Sequence, residues 1–115
     1  MEFEIRASAK YIPVSSQKVR LVLDLVRDRE VDEALAILDF TPKRAARYVA
    51  KVIRSAVANA EENFGLARED LYIAKIYADG GPTLKRGRAG ARGRFKPILK
   101  RTSHITVVLA EYEYV

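Results

Sequence analysis

Residues 2–11 alternate between apolar and polar. Phe3, Ile5, Ala7, Ala9 and Tyr11 fall on one side of an extended chain, and Glu2, Glu4, Arg6, Ser8 and Lys10 on the other. That period of two predicts a half-buried strand with Tyr11 on the core side, and Pro13 stops it. The period then changes. In VSSQKVRLVLDLVRD, Val19, Val22, Leu23 and Val26 recur at helical spacing and are expected to face the core. Ser15 or Ser16 supplies a short side-chain oxygen for the free N–H groups of a first turn. Lys18 and Arg20 lie outside the apolar stripe. A short second helix is expected at about 32–38, started by Asp32 and burying Leu35 and Leu38.

A third helix has clear punctuation. Thr41 reads as its N-cap, Pro42 as its first residue, and Gly65 as a left-handed C-terminal stop. Between them Ala45, Val49, Val52, Ile53, Ala56 and Ala60 form a stripe rich in small residues. Arg44, Arg47, Lys51 and Arg54 line another face, to be solvated or to meet nucleic acid. DLYIAKIYADG (70–80) and KRTSHITVVLAEYEY (100–114) read as strands, and the region between them has no helical pattern. Strand, glycine-rich link, strand predicts an antiparallel hairpin. Folded about Gly90, it would set Lys85 and Arg86 near Arg94 and Phe95. The expected architecture is α+β, a single domain spanning 1–115. It combines a three-stranded antiparallel sheet, three helices on one face, and a long protruding β-hairpin at about 80–104. With roughly ten residues per arm at about 3.3 Å each, the tip would reach ~30–35 Å from the body.

Charge singles out the hairpin. The chain of 115 residues has a formal net charge of +6. Residues 80–104 hold Lys85, Arg86, Arg88, Arg92, Arg94, Lys96, Lys100 and Arg101 with no Asp or Glu. The other 13 basic and 15 acidic residues leave the body at −2. One concentrated patch on a nearly neutral body is the footprint of a polyanion-binding protein. An isolated two-stranded ribbon is marginal in water, and these like charges repel one another. The segment is therefore expected to order when a polyanion neutralises it. Arg suits phosphate and can stack on bases. Phe95 either stacks on a base or packs across the hairpin.

Other chemistries find little footing. With no Cys and a single His, disulfides and Cys-based zinc sites are excluded. The scattered acidic residues form no calcium loop, so no metal or cofactor is expected. GRAGARG has no following helix and is not a phosphate-binding loop of the nucleotide-hydrolase type. Ser103 and His104 are adjacent, so on a strand they point to opposite faces, and no carboxylate lies nearby in sequence to orient the His. No enzyme is expected; His104 is expected to bond to backbone or to touch a phosphate. No apolar stretch approaches the roughly 20 residues of a membrane span. The charged MEFEIRASAK lacks the core of a secretory signal. A soluble, cytosolic protein without a membrane partner is expected.

GPTLKRGRAGARGRFKPILKRTSHITVVL resembles the hairpin of large-subunit ribosomal proteins of the L-twenty-two family. SSQKVRLVLDLVRDREVDEALAILDFTPKRAARYVAKVIRSAVANAEEN resembles that family's helical body, and the likeness covers about residues 5–109. KRTSHITV together with SAVANAEEN is a specific combination. The resemblance implies a small α+β body on the outer face of the large subunit near the peptide exit. It implies a hairpin that threads into large-subunit rRNA, lines part of the nascent-peptide tunnel, and assists early assembly. It implies contacts with neighbouring large-subunit ribosomal proteins, and with nascent peptide near the tip, close to where macrolides bind. It implies no catalysis.

By position, the resemblance matches Lys18 and Arg20, Lys43 and Arg44, Lys85 and Arg86, and the return arm Lys100, Arg101, Thr102, Ser103 and His104; all of these but Thr102, together with Arg88, Arg92, Arg94 and Lys96, are expected to bind RNA. One stretch departs. Ala89, Gly90 and Ala91 stand where family hairpins often carry Pro-Arg-Ala, so a more flexible tip is expected, with Arg88 supplying the charge. The alternative reading is a nucleic-acid-binding regulator acting off the ribosome. The chain has neither a helix-turn-helix pattern nor a dimerisation heptad, and no homo-oligomer is expected.

Overall fold

The computed structural model describes residues 4–89 and 95–112. The elements run β1 (Glu4–Ile12), α1 (Ser16–Val26), α2 (Val31–Asp39), α3 (Arg44–Phe64), a 3-10 turn (Arg68–Asp70), β2 (Leu71–Gly80), β3 (Leu84–Ala89), β4 (Phe95–Lys100) and β5 (Ser103–Glu111). β5 is the centre of a three-stranded sheet ordered β1-β5-β2, antiparallel throughout, and β3 and β4 form a separate antiparallel ribbon. The expected α+β architecture is present, protruding hairpin included.

One sheet face carries the core. Ile5 opposes Leu109 and Ala7 opposes Val107 across β1–β5, while Ile73, Ile76 and Ala78 meet Leu109, Val107 and Ile105 across β2–β5. α3 lies against β1 and β5, α1 against β2, and α2 mainly against α3. Of the small residues expected to let α3 approach closely, Ala45, Ala56 and Ala60 are buried, and Ala46 and Ala50 are buried with them. Val19, Val22, Leu23 and Val26 of α1 are fully buried, as their spacing requires. Gly65 ends α3 at φ 63°, with its N–H donating to the Ala60 carbonyl.

Several local expectations are corrected. The alternation of β1 holds only to Ala9. A register shift between Ala9 and Ile12 gives the strand an extra residue, so Ile12 enters the core and Tyr11 turns outward, 64% exposed. The cap position of α3 is Lys43, not Thr41. Thr41 Oγ1 instead donates back to the Ile37 carbonyl at 2.7 Å, so its hydroxyl closes α2 rather than opening α3. α2 begins at Val31 with Glu30 in the cap position, not at Asp32, and Ser15 occupies the cap position of α1 without a side-chain bond.

The hairpin register also differs. Asp79 opposes His104 and Gly80 opposes Ser103; four residues on, Leu84 opposes Lys100. The ribbon inherits its pairing from the body, with a shift of one residue. Lys85 therefore meets Leu99 and Arg86 meets Ile98, and the chain reverses between Ala89 and Phe95. Folding about Gly90, with Lys85 near Arg94 or Phe95, would need the arms to slip by four to five residues against that register. Pro97 is tolerated opposite Gly87 because each arm has a free edge. The protrusion shows in the dimensions: the long axis is 70 Å against 26 and 19 Å, and the radius of gyration is 17.4 Å, where a compact chain of this length would have about 13 Å.

β2 is an edge strand, and its open side is closed by α1 and the segment after it. Ile73 N–H donates to the Arg29 carbonyl at 2.9 Å. Arg27 Nη2 donates to the Ile76 carbonyl at 3.1 Å, and Arg20 donates through Nε (3.2 Å) and Nη2 (2.9 Å) to the Ala78 carbonyl. Unpaired strand edges invite other strands; here arginine side chains occupy the acceptors. Arg20→Ala is expected to cost about 1–2 kcal/mol, because the Ala78 carbonyl loses both donors. That should lower the thermal midpoint by roughly 5 °C in calorimetry. An unchanged midpoint would mean the edge closes without Arg20.

Candidate nucleic-acid interface

The bulge in β1 starts the site. After it, Val14 N–H bonds to the Ile12 carbonyl at 2.8 Å, and this tight turn sends the chain into α1, with Lys18 in its first turn. Lys43 and Arg44 stand at the start of α3. Arg101 and Thr102 form the two-residue link between β4 and β5. These segments meet where the ribbon leaves the body. Tyr11, Lys18, Lys43, Arg44 and Arg101 line an open groove of about 1290 Å³, with Pro82 and Thr102 at the ribbon's root.

Among the described residues, no acidic one lines that groove. Among the described residues the ion pairs are Asp24–Arg27, Arg29–Glu33, Asp39–Arg54 and Asp32–Arg68. None of them involves a cation of the groove. The first turn of α3 has no acidic residue and no side-chain cap, although a helix start ordinarily favours negative charge. The helix dipole of α3 therefore adds to the positive potential instead of being offset. A smaller groove, about 660 Å³, shares Lys43 and Arg44 and continues along α3 past Arg47, Lys51 and Arg54. Arg54 there pairs loosely with Asp39 at 3.5 Å, and the Arg44 guanidinium lies 6.0 Å over the Tyr48 ring.

The ribbon's root is built tightly. Gly81 N–H donates to the Thr102 carbonyl at 2.9 Å, and Thr102 Oγ1 donates to the Pro82 carbonyl at 2.8 Å. His104 Nδ1 accepts from the Tyr11 N–H at 3.1 Å, and the two rings meet edge to face at 5.1 Å. A Cβ on residue 81 would lie 2.5 Å from Thr102 Oγ1 and 3.2 Å from His104 Cε1, so any other residue here must displace the Thr102 hydroxyl.

The arrangement suits a polyanion and offers little else. Among the described residues, no group of three or more His, Asp or Glu could hold a metal. No helix there is long and apolar enough to cross a membrane. The family model described as ribosomal protein L22p/L17e matches residues 7–110.

The chain belongs to the L22p/L17e family of ribosomal proteins.

Individual relatives agree. The chain is 58% identical over 110 residues to the large ribosomal subunit protein uL22 of Thermoanaerobacter sp. (strain X514), covering 96% of this chain and 99% of that protein. It is 59% identical over 108 residues to uL22 of Clostridium novyi (strain NT), covering 94% and 97%. It is 56% identical over 108 residues to uL22 of Carboxydothermus hydrogenoformans, covering 94% and 96%.

Within this L22p/L17e protein the expected RNA-binding residues have different fates. Lys18, Lys43, Arg44 and Arg101 share the groove. Arg20 is turned away from it, onto the Ala78 carbonyl. Lys85, Arg86 and Arg88 lie on β3, and Lys96 and Lys100 on β4, as paired positions of one ribbon. Arg92, Arg94 and the expected flexible tip lie outside the described residues. Ser103 shares the inward parity of Ile105, Val107 and Leu109; it is fully buried, and its hydroxyl has no hydrogen-bond partner among the described residues. Its side chain thus lies inside the body and is not part of the groove lining. His104 does bond to backbone, as expected, through the Tyr11 N–H. Tyr11 itself was missed, because an alternating strand counts it as core and no sequence signal marks the bulge.

Gly81 and Thr102 should be coupled energetically. Gly81→Ala forces the Thr102 hydroxyl off the Pro82 carbonyl, a loss of about 1 kcal/mol, whereas in the double variant with Thr102→Ala there is no hydroxyl to displace. Urea unfolding of the four forms should therefore give a double variant less destabilised than the two single effects added together. Strict additivity would place the clash elsewhere.

Proposed function

We propose that this chain is a structural constituent of the cytoplasmic large ribosomal subunit that binds large-subunit rRNA and has no catalytic role. The observation that carries the reading is the acid-free groove at the ribbon's root. There Lys18, Lys43, Arg44 and Arg101, drawn from three separate stretches of chain, converge without carboxylate partners. The ribbon above it extends the same uncompensated charge. The printed names of its relatives, large ribosomal subunit protein uL22, support the large subunit as its place.

The mechanism is scaffolding. The groove takes phosphates at the body, and the ribbon, with Lys85, Arg86, Arg88, Arg92, Arg94, Lys96 and Lys100, takes phosphates of other rRNA segments. Joining segments that are distant in the RNA lets the protein assist assembly. A slender basic ribbon is also a shape that can line the nascent-peptide tunnel, with the growing peptide passing its tip and neighbouring ribosomal proteins meeting the body. The role needs no cofactor, no second copy and no membrane.

Salt and mutation test this reading. If six charges displace counterions from single-stranded RNA, log Kobs should fall against log salt with a slope of about −4. Lys18→Ala with Lys43→Ala should bring that slope about 1.4 closer to zero. Charge reversal at Lys100 and Arg101 should weaken binding more than reversal at Glu111 and Glu113. Co-sedimentation with ribosomal subunits in high salt tests placement: the intact chain should stay with the large subunit, and a variant lacking residues 85–95 should be held less firmly. A flat salt dependence would sink the RNA reading. RNA binding without co-sedimentation would favour a regulator acting off the ribosome.

A further inference from the structure

We infer that Tyr11 is a stacking platform for an unpaired nucleobase whose flanking phosphates lie on the cations of the groove; the inference rests on the RNA-binding reading above. The argument starts from the backbone. Tyr11 has φ 59° and Asp28 φ 63°, the only non-glycine residues in the left-handed region among those described. Asp tolerates that region through local hydrogen bonding, but a bulky aromatic residue there is strained, and such strain persists only where the surroundings enforce it. Here they do. The bulge between Ala9 and Ile12 adds the residue, Ile12 anchors the following position in the core, and His104 Nδ1 holds the Tyr11 N–H at 3.1 Å.

The result of this strain is an aromatic ring turned outward. It is 64% exposed, although the strand's parity would have buried it. The ring does not swing freely, because His104 meets it edge to face at 5.1 Å and 89°. At that exposure at least one face stays open. Its surroundings identify the occupant. The ring lines the same groove as Lys18, Lys43, Arg44 and Arg101, with no acid present. An apolar peptide would leave those charges unanswered. A single-stranded nucleotide presents a flat π-face flanked by phosphates, and this is the pattern that an aromatic ring flanked by cations recognises.

The test compares two probes of equal length: a single-stranded oligoadenylate, and an abasic ribose-phosphate oligomer with the same charge and no bases. Tyr11→Ala should weaken oligoadenylate binding roughly tenfold, in the range expected for one stacked base, and leave abasic binding unchanged. Tyr11→Phe should bind as the native protein does. Tyr11→Leu, which keeps bulk but has no π-face, should behave as Tyr11→Ala does. Because the ring is exposed, all three variants should unfold near the native midpoint, which calorimetry checks. Equal weakening for both oligomers would show that Tyr11 merely shapes the groove and would overturn the inference, as would a Tyr11→Ala variant that loses nothing. If the native protein binds neither oligomer in a salt-dependent way, the RNA-binding reading itself fails, a result distinct from both.

Discussion

β5 is hydrogen-bonded on both sides, and its register is the constraint from which the other placements follow. Pairing with β2 runs through Gly80 opposite Ser103 and carries on into the ribbon at Leu84 opposite Lys100. Pairing with β1 runs to Ile12 opposite Ser103 across the bulge. Because side chains alternate along a strand, a slip of one residue would exchange the two faces. Ser103 would then leave the interior, His104 would leave Tyr11, and the groove would lose both its ring and its root. The Gly81 crossing makes such a slip harder, since a side chain there would have to displace the Thr102 hydroxyl.

A two-stranded ribbon is marginal in water on its own contacts, and like charges weaken it further. What it gains from the body is a fixed point of departure: two strands already paired, a Thr102 hydroxyl tying the outgoing link to the returning one, and a buried apolar face behind β5. Order at the root thus comes from hydrophobic burial, which does not depend on charge screening. Beyond it the like charges of the ribbon repel one another, and that repulsion is screened by salt. The two ends of the hairpin should respond differently to ionic strength for that reason.

Sequence legibility followed the range of the interactions. Helical stripes were legible because period and burial are local: Val19, Val22, Leu23 and Val26 are fully buried. Gly65 was legible because a left-handed stop has few chemical solutions. The basic segment was legible from composition alone. Cap positions were less so, because Thr41 had two acceptable partners and used its hydroxyl on α2. The hairpin turn was misplaced because a glycine in mid-segment looks like a turn, whereas the register was dictated from the body outward. Tyr11 was out of reach, since a bulge is a property of two paired strands and one strand's sequence does not display it. The cations of the groove were named in advance, but their convergence was not, because it depends on where three distant segments come to lie.

Lys18 and Arg20 show why a run of basic residues in sequence is not yet a surface patch. Two positions apart on a helix means about 200° of rotation, so the two side chains leave α1 on nearly opposite sides. Arg20 meets the free carbonyl of an edge strand, and its planar fork allows two donors to reach one oxygen. Lys18 meets the groove. The same sorting recurs elsewhere. Arg27, Arg29, Arg54 and Arg68 all find carboxylates, and Arg27 also reaches a β2 carbonyl. The body is therefore close to neutral in effect as well as in count, since these arginines are already engaged by the fold. Among the described residues, four of the cations that take part in no ion pair, Lys18, Lys43, Arg44 and Arg101, share the groove at the root of the ribbon.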